Sequence, residues 1–140
     1  MSDRGIQTVN FNGINIAIEN PVGSVREGID ENGRPWKTKF FYPYGYICGV
    51  EGADGDSLDC FIGPNPVSDK VFIMHQSKVD GTFDEHKVML GFNSLQSARD
   101  AYLAHYNTQG YIGYMDEMPL FEFKERIKEL IRRGNDKFSF

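Results

Sequence analysis

From Thr8 to Glu19 apolar and polar side chains alternate, with Val9 and Phe11 before Asn12-Gly13 and Ile14, Ile16 and Ile18 after it. This is the pattern of a β-hairpin with one buried face. The second strand stops at Asn20-Pro21. Between Gly23 and Pro35 the period dissolves into glycine, proline and charge, which predicts a mobile loop carrying Arg26, Glu27 and Arg34. Trp36 to Gly49 is rich in aromatic and β-branched residues and predicts one or two strands broken near Pro43. A loop follows from Gly49 to Gly55, then a strand from Ser57 to Ile62 that ends at Gly63-Pro64-Asn65-Pro66. Lys70 to Leu90 predicts a second hairpin, with Val71-Phe72-Ile73-Met74 and Val88-Met89-Leu90 on either side of the type I′ pair Asp80-Gly81.

Only then does the period lengthen. Asn93 or Ser94 caps a segment whose Leu95, Ala98, Tyr102 and Tyr106 fall on one helical stripe. A second helix begins at Pro119 and aligns Leu120, Phe123, Ile127, Leu130 and Ile131, with Arg132 and Arg133 in its last turn and Gly134 as its C-cap. At least five strands thus precede any helix. Strands first and helices last predict one α+β domain over residues 1–140, most economically a small, highly curved β-barrel with two packing helices.

Length and composition agree with one domain: 140 residues, 40% hydrophobic and 25% charged. No run approaches the roughly 18 apolar residues of a membrane span, and the N-terminus lacks the basic and apolar regions of a signal peptide, so an intracellular, cytoplasmic protein without a membrane partner is expected. A net charge of -5 argues against nucleic acid as a partner, because a phosphate backbone calls for clustered Lys and Arg. Cys48 and Cys60 match no zinc spacing and are expected to be two buried thiols.

The densest chemical signal is Asp54-Gly55-Asp56-Ser57-Leu58-Asp59, three carboxylates in six residues at the mouth of a strand. Ionised carboxylates about 4 Å apart repel by something like 4 kcal/mol at an effective dielectric of 20, and a divalent metal is the usual compensation. Gly55 allows a positive φ, so that consecutive acids can turn toward one point. A solvated acidic turn is the other reading of such a string. The later hairpin carries a second cluster, Asp80 at its turn and Asp84-Glu85-His86-Lys87 on its returning strand. The period of two puts Glu85 and Lys87 on one face, where one suits a metal and the other a phosphate oxygen. His86 reads as a surface or packing residue.

The run Tyr42-Pro43-Tyr44-Gly45-Tyr46-Ile47, followed by Asp54-Gly55-Asp56-Ser57-Leu58-Asp59-Cys60, closely resembles the motif of soluble family I inorganic pyrophosphatases. Asp80-x-x-x-x-Glu85-x-Lys87 resembles the family's second metal cluster, with Glu in place of one Asp. Ile16-Ala17-Ile18-Glu19 resembles its first strand, and His105-Tyr106 a His-Tyr pair whose Tyr touches product phosphate. The likeness runs in order from Ile14 to Tyr106 and is nearest to compact domains of phages and mobile elements. Ser57 departs from the family's Pro or Glu, and Asn107 from its phosphate-binding Lys. Relative to typical bacterial members of that family, two residues are missing between Pro43 and Tyr44.

The resemblance implies an OB-like five-stranded barrel and hydrolysis of pyrophosphate in a cytoplasmic protein of a bacterial or phage-infected cell, with a homo-oligomer compatible with it. It implies Mg²⁺, or alternatively Mn²⁺, on Asp54, Asp56, Asp59, Asp80 and Glu85, with Asp84 the alternative to Glu85. Asp56 would be the general base. Lys87, Arg26 and Tyr44 would orient the phosphates, with Arg34 and Tyr106 as further substrate contacts; a core role is the other reading of Tyr106. Two other classes stay open: a phosphohydrolase acting on a nucleotide or another small phosphorylated molecule, and a non-enzymatic metal-stabilised phage structural or interaction module.

Overall fold

Asn12 and Gly13 both have positive φ, 52° and 97°, the backbone a two-residue type I′ turn demands. The turn joins β1 (Gln7–Phe11) to β2 (Ile14–Asn20) in the hairpin expected from the alternation. The computed structural model describes residues 6–78, 80–106, 113–134 and 137–139. After β2 the chain forms β3 (Val25–Ile29), β4 (Pro35–Lys39), β5 (Tyr44–Glu51), β6 (Ser57–Ile62), β7 (Lys70–Ser77), β8 (Phe83–Leu90), α1 (Leu95–His105), β9 (Tyr114–Pro119) and α2 (Leu120–Arg133).

Seven strands make one sheet in the order β1-β2-β5-β6-β8-β7-β9, and β3 and β4 pair apart from it. The α+β class with two helices holds. The closed five-stranded barrel does not: among the described residues there are nine strands, and the sheet ends on β1 and β9 without joining them. Nor do all strands precede the helices, because β9 lies between them. Its Tyr-Met-Asp-Glu-Met-Pro sequence pairs only with β7 and buries only Met118, so it carries little apolar period.

The segment expected to be a mobile loop, Gly23 to Pro35, instead forms β3 and a turn held by Asp30 Oδ1, which accepts from the backbone N–H of Asn32 and Arg34, and β3 pairs with β4 at the start of the stretch predicted as strand from Trp36. Neither strand buries a face, so no alternation marks them. The Asp80-Gly81 pair also differs from expectation. Gly81 has φ 91°, but its N–H bonds back to the Lys78 carbonyl, and Lys78 N–H to the Thr82 carbonyl, in a longer connection than a two-residue turn.

Each face of the sheet packs on a core. Ile16, Ile18, Ile47, Leu58, Cys60, Ile73 and Val88 meet Phe123 and Ile127 of α2 on one side. On the other, Tyr44, Phe61, Phe72, Met74 and Met89 meet Ala98, Ala101 and Tyr102 of α1. Double coverage explains why Val71-Phe72-Ile73-Met74 and Val88-Met89-Leu90 are continuously apolar. Ser94 caps α1 through a capping box and Gly134 ends α2 in the left-handed region, as expected, whereas Leu95 and Ile131 are exposed. Both cysteines are free; Cys60 is buried, and Cys48 only half-buried. Among the described residues no helix is long and apolar enough to cross a membrane.

His105, at the end of α1, ties that helix to the segment before β5. Its Nδ1 lies 2.7 Å from the Ala101 carbonyl, which can only accept, so Nδ1 carries the proton; Nε2 then accepts from Phe41 N–H at 3.0 Å. Only the neutral ring can do both, and burial lowers the pKa of His105 below its ordinary 6.5. The stability it contributes is therefore complete above about pH 6.5 and is lost as pH falls toward the lowered folded value. His105→Ala is expected to cost about 1–3 kcal/mol at pH 7.5 in urea unfolding, with the gap to the parent narrowing toward pH 5. A gap independent of pH would contradict the neutral clip.

Candidate active site

β6 and β8 are parallel neighbours, with Asp59 level with Lys87 and Cys60 with Val88. Each is preceded by its own acidic connection, residues 52–56 before β6 and residues 78–82 before β8. Parallel pairing therefore brings Asp54 and Asp56 to the same end of the sheet as Asp80.

Just inside that end, alternation points Asp59 and Lys87 toward the α1 face. Lys87 is 4% exposed, and its ammonium donates to the Tyr44 hydroxyl at 2.7 Å, to Asp59 Oδ2 at 2.9 Å and to Glu85 Oε1 at 3.1 Å. The Tyr44 hydroxyl donates in turn to Asp59 Oδ2 at 2.8 Å. One cation thus links three strands and satisfies its three protons. Burial alone would lower the Lys87 pKa, but Tyr106, Asp59 and Glu85 around it more than offset this and raise it. Burial, with the nearby Tyr106 and Asp59, also raises Tyr44, so its phenol stays a donor.

Glu85 shows the imbalance of this cluster. Two carboxylates share one ammonium, and burial, only partly opposed by Lys87, pushes Glu85 up to about 7. Such a site gains from a second positive charge.

Asp54, Asp56 and Asp80 are exposed on the two turns. Asp54 Oδ1 accepts from Asp56 N–H at 3.1 Å, and Asp80 Oδ1 from the Thr82 N–H at 3.0 Å and hydroxyl at 2.7 Å. Hydrogen bonds from Thr82 hold the Asp80 carboxyl below its ordinary pKa. Among the described residues no Lys or Arg forms an ion pair with these three acids. No three His, Cys, Asp or Glu side chains among the described residues converge as a metal cage. The donors nonetheless fit a hard divalent cation in kind: they are carboxylates at one sheet end, and the innermost is short of positive charge.

Tyr106 belongs to this neighbourhood, its ring centroid 5.8 Å from Lys87 Nζ and stacked on Tyr102 at 4.6 Å. Arg26 and Arg34 lie exposed on the β3–β4 hairpin, and no contact joins them to Lys87. Asn107 lies outside the described residues. Asp84 is held by a relay absent from the expectations above: the Tyr102 hydroxyl donates to Gln76 Oε1, and Gln76 Nε2 donates to Asp84 Oδ2 at 3.0 Å. Gln76 pairs with Glu85 across β7 and β8; a polar residue ending the apolar run of β7 was the signal available. His86 packs in the interior, Nε2 3.1 Å from His75 Nδ1, and burial with His75 lowers it to about 4.

A family model described as Inorganic Pyrophosphatase matches residues 5–128. No curated protein matches the chain. Among solved structures, the fold is similar to that of an inorganic pyrophosphatase from Neisseria gonorrhoeae, with 20% identity, 97% of this chain and 95% of that chain covered, and a TM-score of 0.51. An inorganic pyrophosphatase from Coxiella burnetii aligns at 16% identity over 86% of this chain and 94% of that chain, with a TM-score of 0.46. The matched residues include both acidic turns, Asp59, Glu85 and Lys87, and the chain belongs to the inorganic pyrophosphatase family, a family of inorganic diphosphatases.

Proposed function

We propose that this chain hydrolyses inorganic pyrophosphate to two phosphates with a divalent cation, Mg²⁺ or alternatively Mn²⁺, and that Asp56 is the general base. The observation that supports this most is the Lys87 ammonium bound between Asp59, Glu85 and Tyr44 at the end of the sheet where both acidic turns emerge.

Asp54, Asp56, Asp59, Asp80 and Glu85 are the residues to hold the cation, with Asp84 the alternative to Glu85. A cation bound there supplies Lewis-acid neutralisation of the phosphate charge and makes water more acidic. Asp56, on an exposed turn, takes a proton from the attacking water as its oxygen bonds to one phosphorus and the bridging P–O bond breaks. The bridging oxygen leaves on the second phosphate. Lys87 offers charge-assisted hydrogen bonds to phosphoryl oxygens, and Tyr44 fixes the Asp59 carboxylate that shares its proton. Arg26 and Arg34 are exposed cations available to an anionic substrate, and Tyr106 borders Lys87.

Pyrophosphate with Mg²⁺ is expected to release phosphate at least about tenfold faster than ATP, a difference of about 1.4 kcal/mol in barrier. A preference for ATP would favour a nucleotide phosphohydrolase, and no release from either would remove the enzymatic reading of the site. Asp56→Asn keeps the size of the side chain but cannot accept a proton. Turnover should fall by about 10² to 10⁴ with an unchanged melting temperature, since the Asp56 side chain is exposed. Near-parent turnover would assign the base elsewhere.

A further inference from the structure

Residues 52–56 are weakly braced by the sheet that carries them. The β5–β6 ladder pairs Tyr44, Gly45 and Tyr46 regularly, shifts register after Tyr46, and resumes at the single pair Glu51 with Ser57. Beyond that pair the turn holds itself by Gly52 N–H to the Asp56 carbonyl at 2.6 Å, Gly55 N–H to the Gly52 carbonyl at 3.0 Å, and the Asp54–Asp56 bond. Gly55 stands at φ 90°.

A second brace comes from residues 137–139, which lie beyond the residues matched by the family model. Lys137 forms a parallel bridge with Glu51, and Phe138 N–H donates to the Glu51 carbonyl at 2.8 Å. Phe138 is 1% exposed, its ring 5.4 Å from that of His86 and 5.8 Å from that of Phe123. The Ser139 carbonyl accepts from Arg126 of α2 at 3.2 Å. Lys137 Nζ lies 3.6 Å from where a Cβ on Gly55 would stand, against the tip of the turn.

We infer that residues 137–139 are a buttress that positions the acidic turn, with Phe138 the positioning residue and the Lys137 side chain laid against Gly55 at the tip of the turn. Phe138 is fixed by the α2-side core, and its backbone holds the last paired residue before the turn, so a core residue sets where the carboxylates stand. The inference rests on the proposed role of this turn only for its effect on activity; the brace itself is read without it.

Amide hydrogen exchange on the full chain tests it. In Phe138→Ala the amides of Gly52, Gly55 and Asp56 should exchange about tenfold faster or more, while those of the β1–β2 pair and α1 stay as in the parent. Phe138→Leu, which keeps an apolar plug and folds even if the alanine variant does not, should show the same localised change to a lesser degree. The Mg²⁺ concentration for half-maximal pyrophosphate hydrolysis should rise several-fold in both, with turnover largely restored at saturating Mg²⁺. Unchanged exchange at 52–56, or acceleration spread evenly over the sheet and helices, would overturn the buttress. A parent protein that exchanges as expected but does not hydrolyse pyrophosphate would instead remove the proposed function and leave the brace standing.

Discussion

A buried ammonium with three partners from three strands is the constraint around which this end of the molecule is arranged. Lys87 of β8 has to find oxygen acceptors where water does not reach, because an unpaired charge at that depth costs several kcal/mol. Asp59 of β6, Glu85 of its own strand and Tyr44 of β5 provide them. Satisfying Lys87 therefore fixes the relative positions of β5, β6 and β8. It also draws together two carboxylates that would repel each other without it. Burial, only partly opposed by Lys87 and reinforced by Asp59, pushes Glu85 up to about 7, and two carboxylates around one ammonium leave the donor set suited to a further cation.

The parallel pairing of β6 and β8 turns this local constraint into a site. Were the two strands antiparallel, their preceding connections would lie at opposite ends of the sheet, and Asp54 and Asp56 would be separated from Asp80 by its full length. Instead the connections emerge side by side. The helices serve the arrangement from either face: α1 packs the aromatic core beneath Tyr44 and Tyr106, and α2 anchors the core into which Phe138 inserts. The Tyr102–Gln76–Asp84 relay joins α1 and β7 to the acid beside Glu85.

Much of this was legible in the sequence wherever burial imposed a period. The β1–β2 hairpin follows from alternation around Asn12-Gly13, β6 from its apolar run, and α2 from Phe123, Ile127 and its glycine cap. The strands that went unread, β3 and β9, lack such a period: the first buries neither face and the second only Met118, whereas β4, which buries no face either, was marked by the aromatic and β-branched run that begins at Trp36. Closure into a barrel was inferred from the order of strands before helices and from the family resemblance, whereas strand order in the sheet, which sequence does not carry, leaves two edges. The Glu85–Lys87 pair was visible as a period of two on one face. Gln76 showed only as a polar residue closing the apolar run of β7 and Phe138 not at all, since their roles depend on contacts with Asp84 and Glu51 from other parts of the chain.

Lys87 and Asp59 act as a coupled pair that organises the three strands. A double-mutant cycle of Lys87→Met and Asp59→Asn, read as unfolding free energy in urea, tests that coupling most directly. The expected coupling energy is about 1–3 kcal/mol, with the double variant less destabilised than the sum of the singles. Additivity within about 0.5 kcal/mol would show that the two side chains are neighbours without being coupled, and would contradict it.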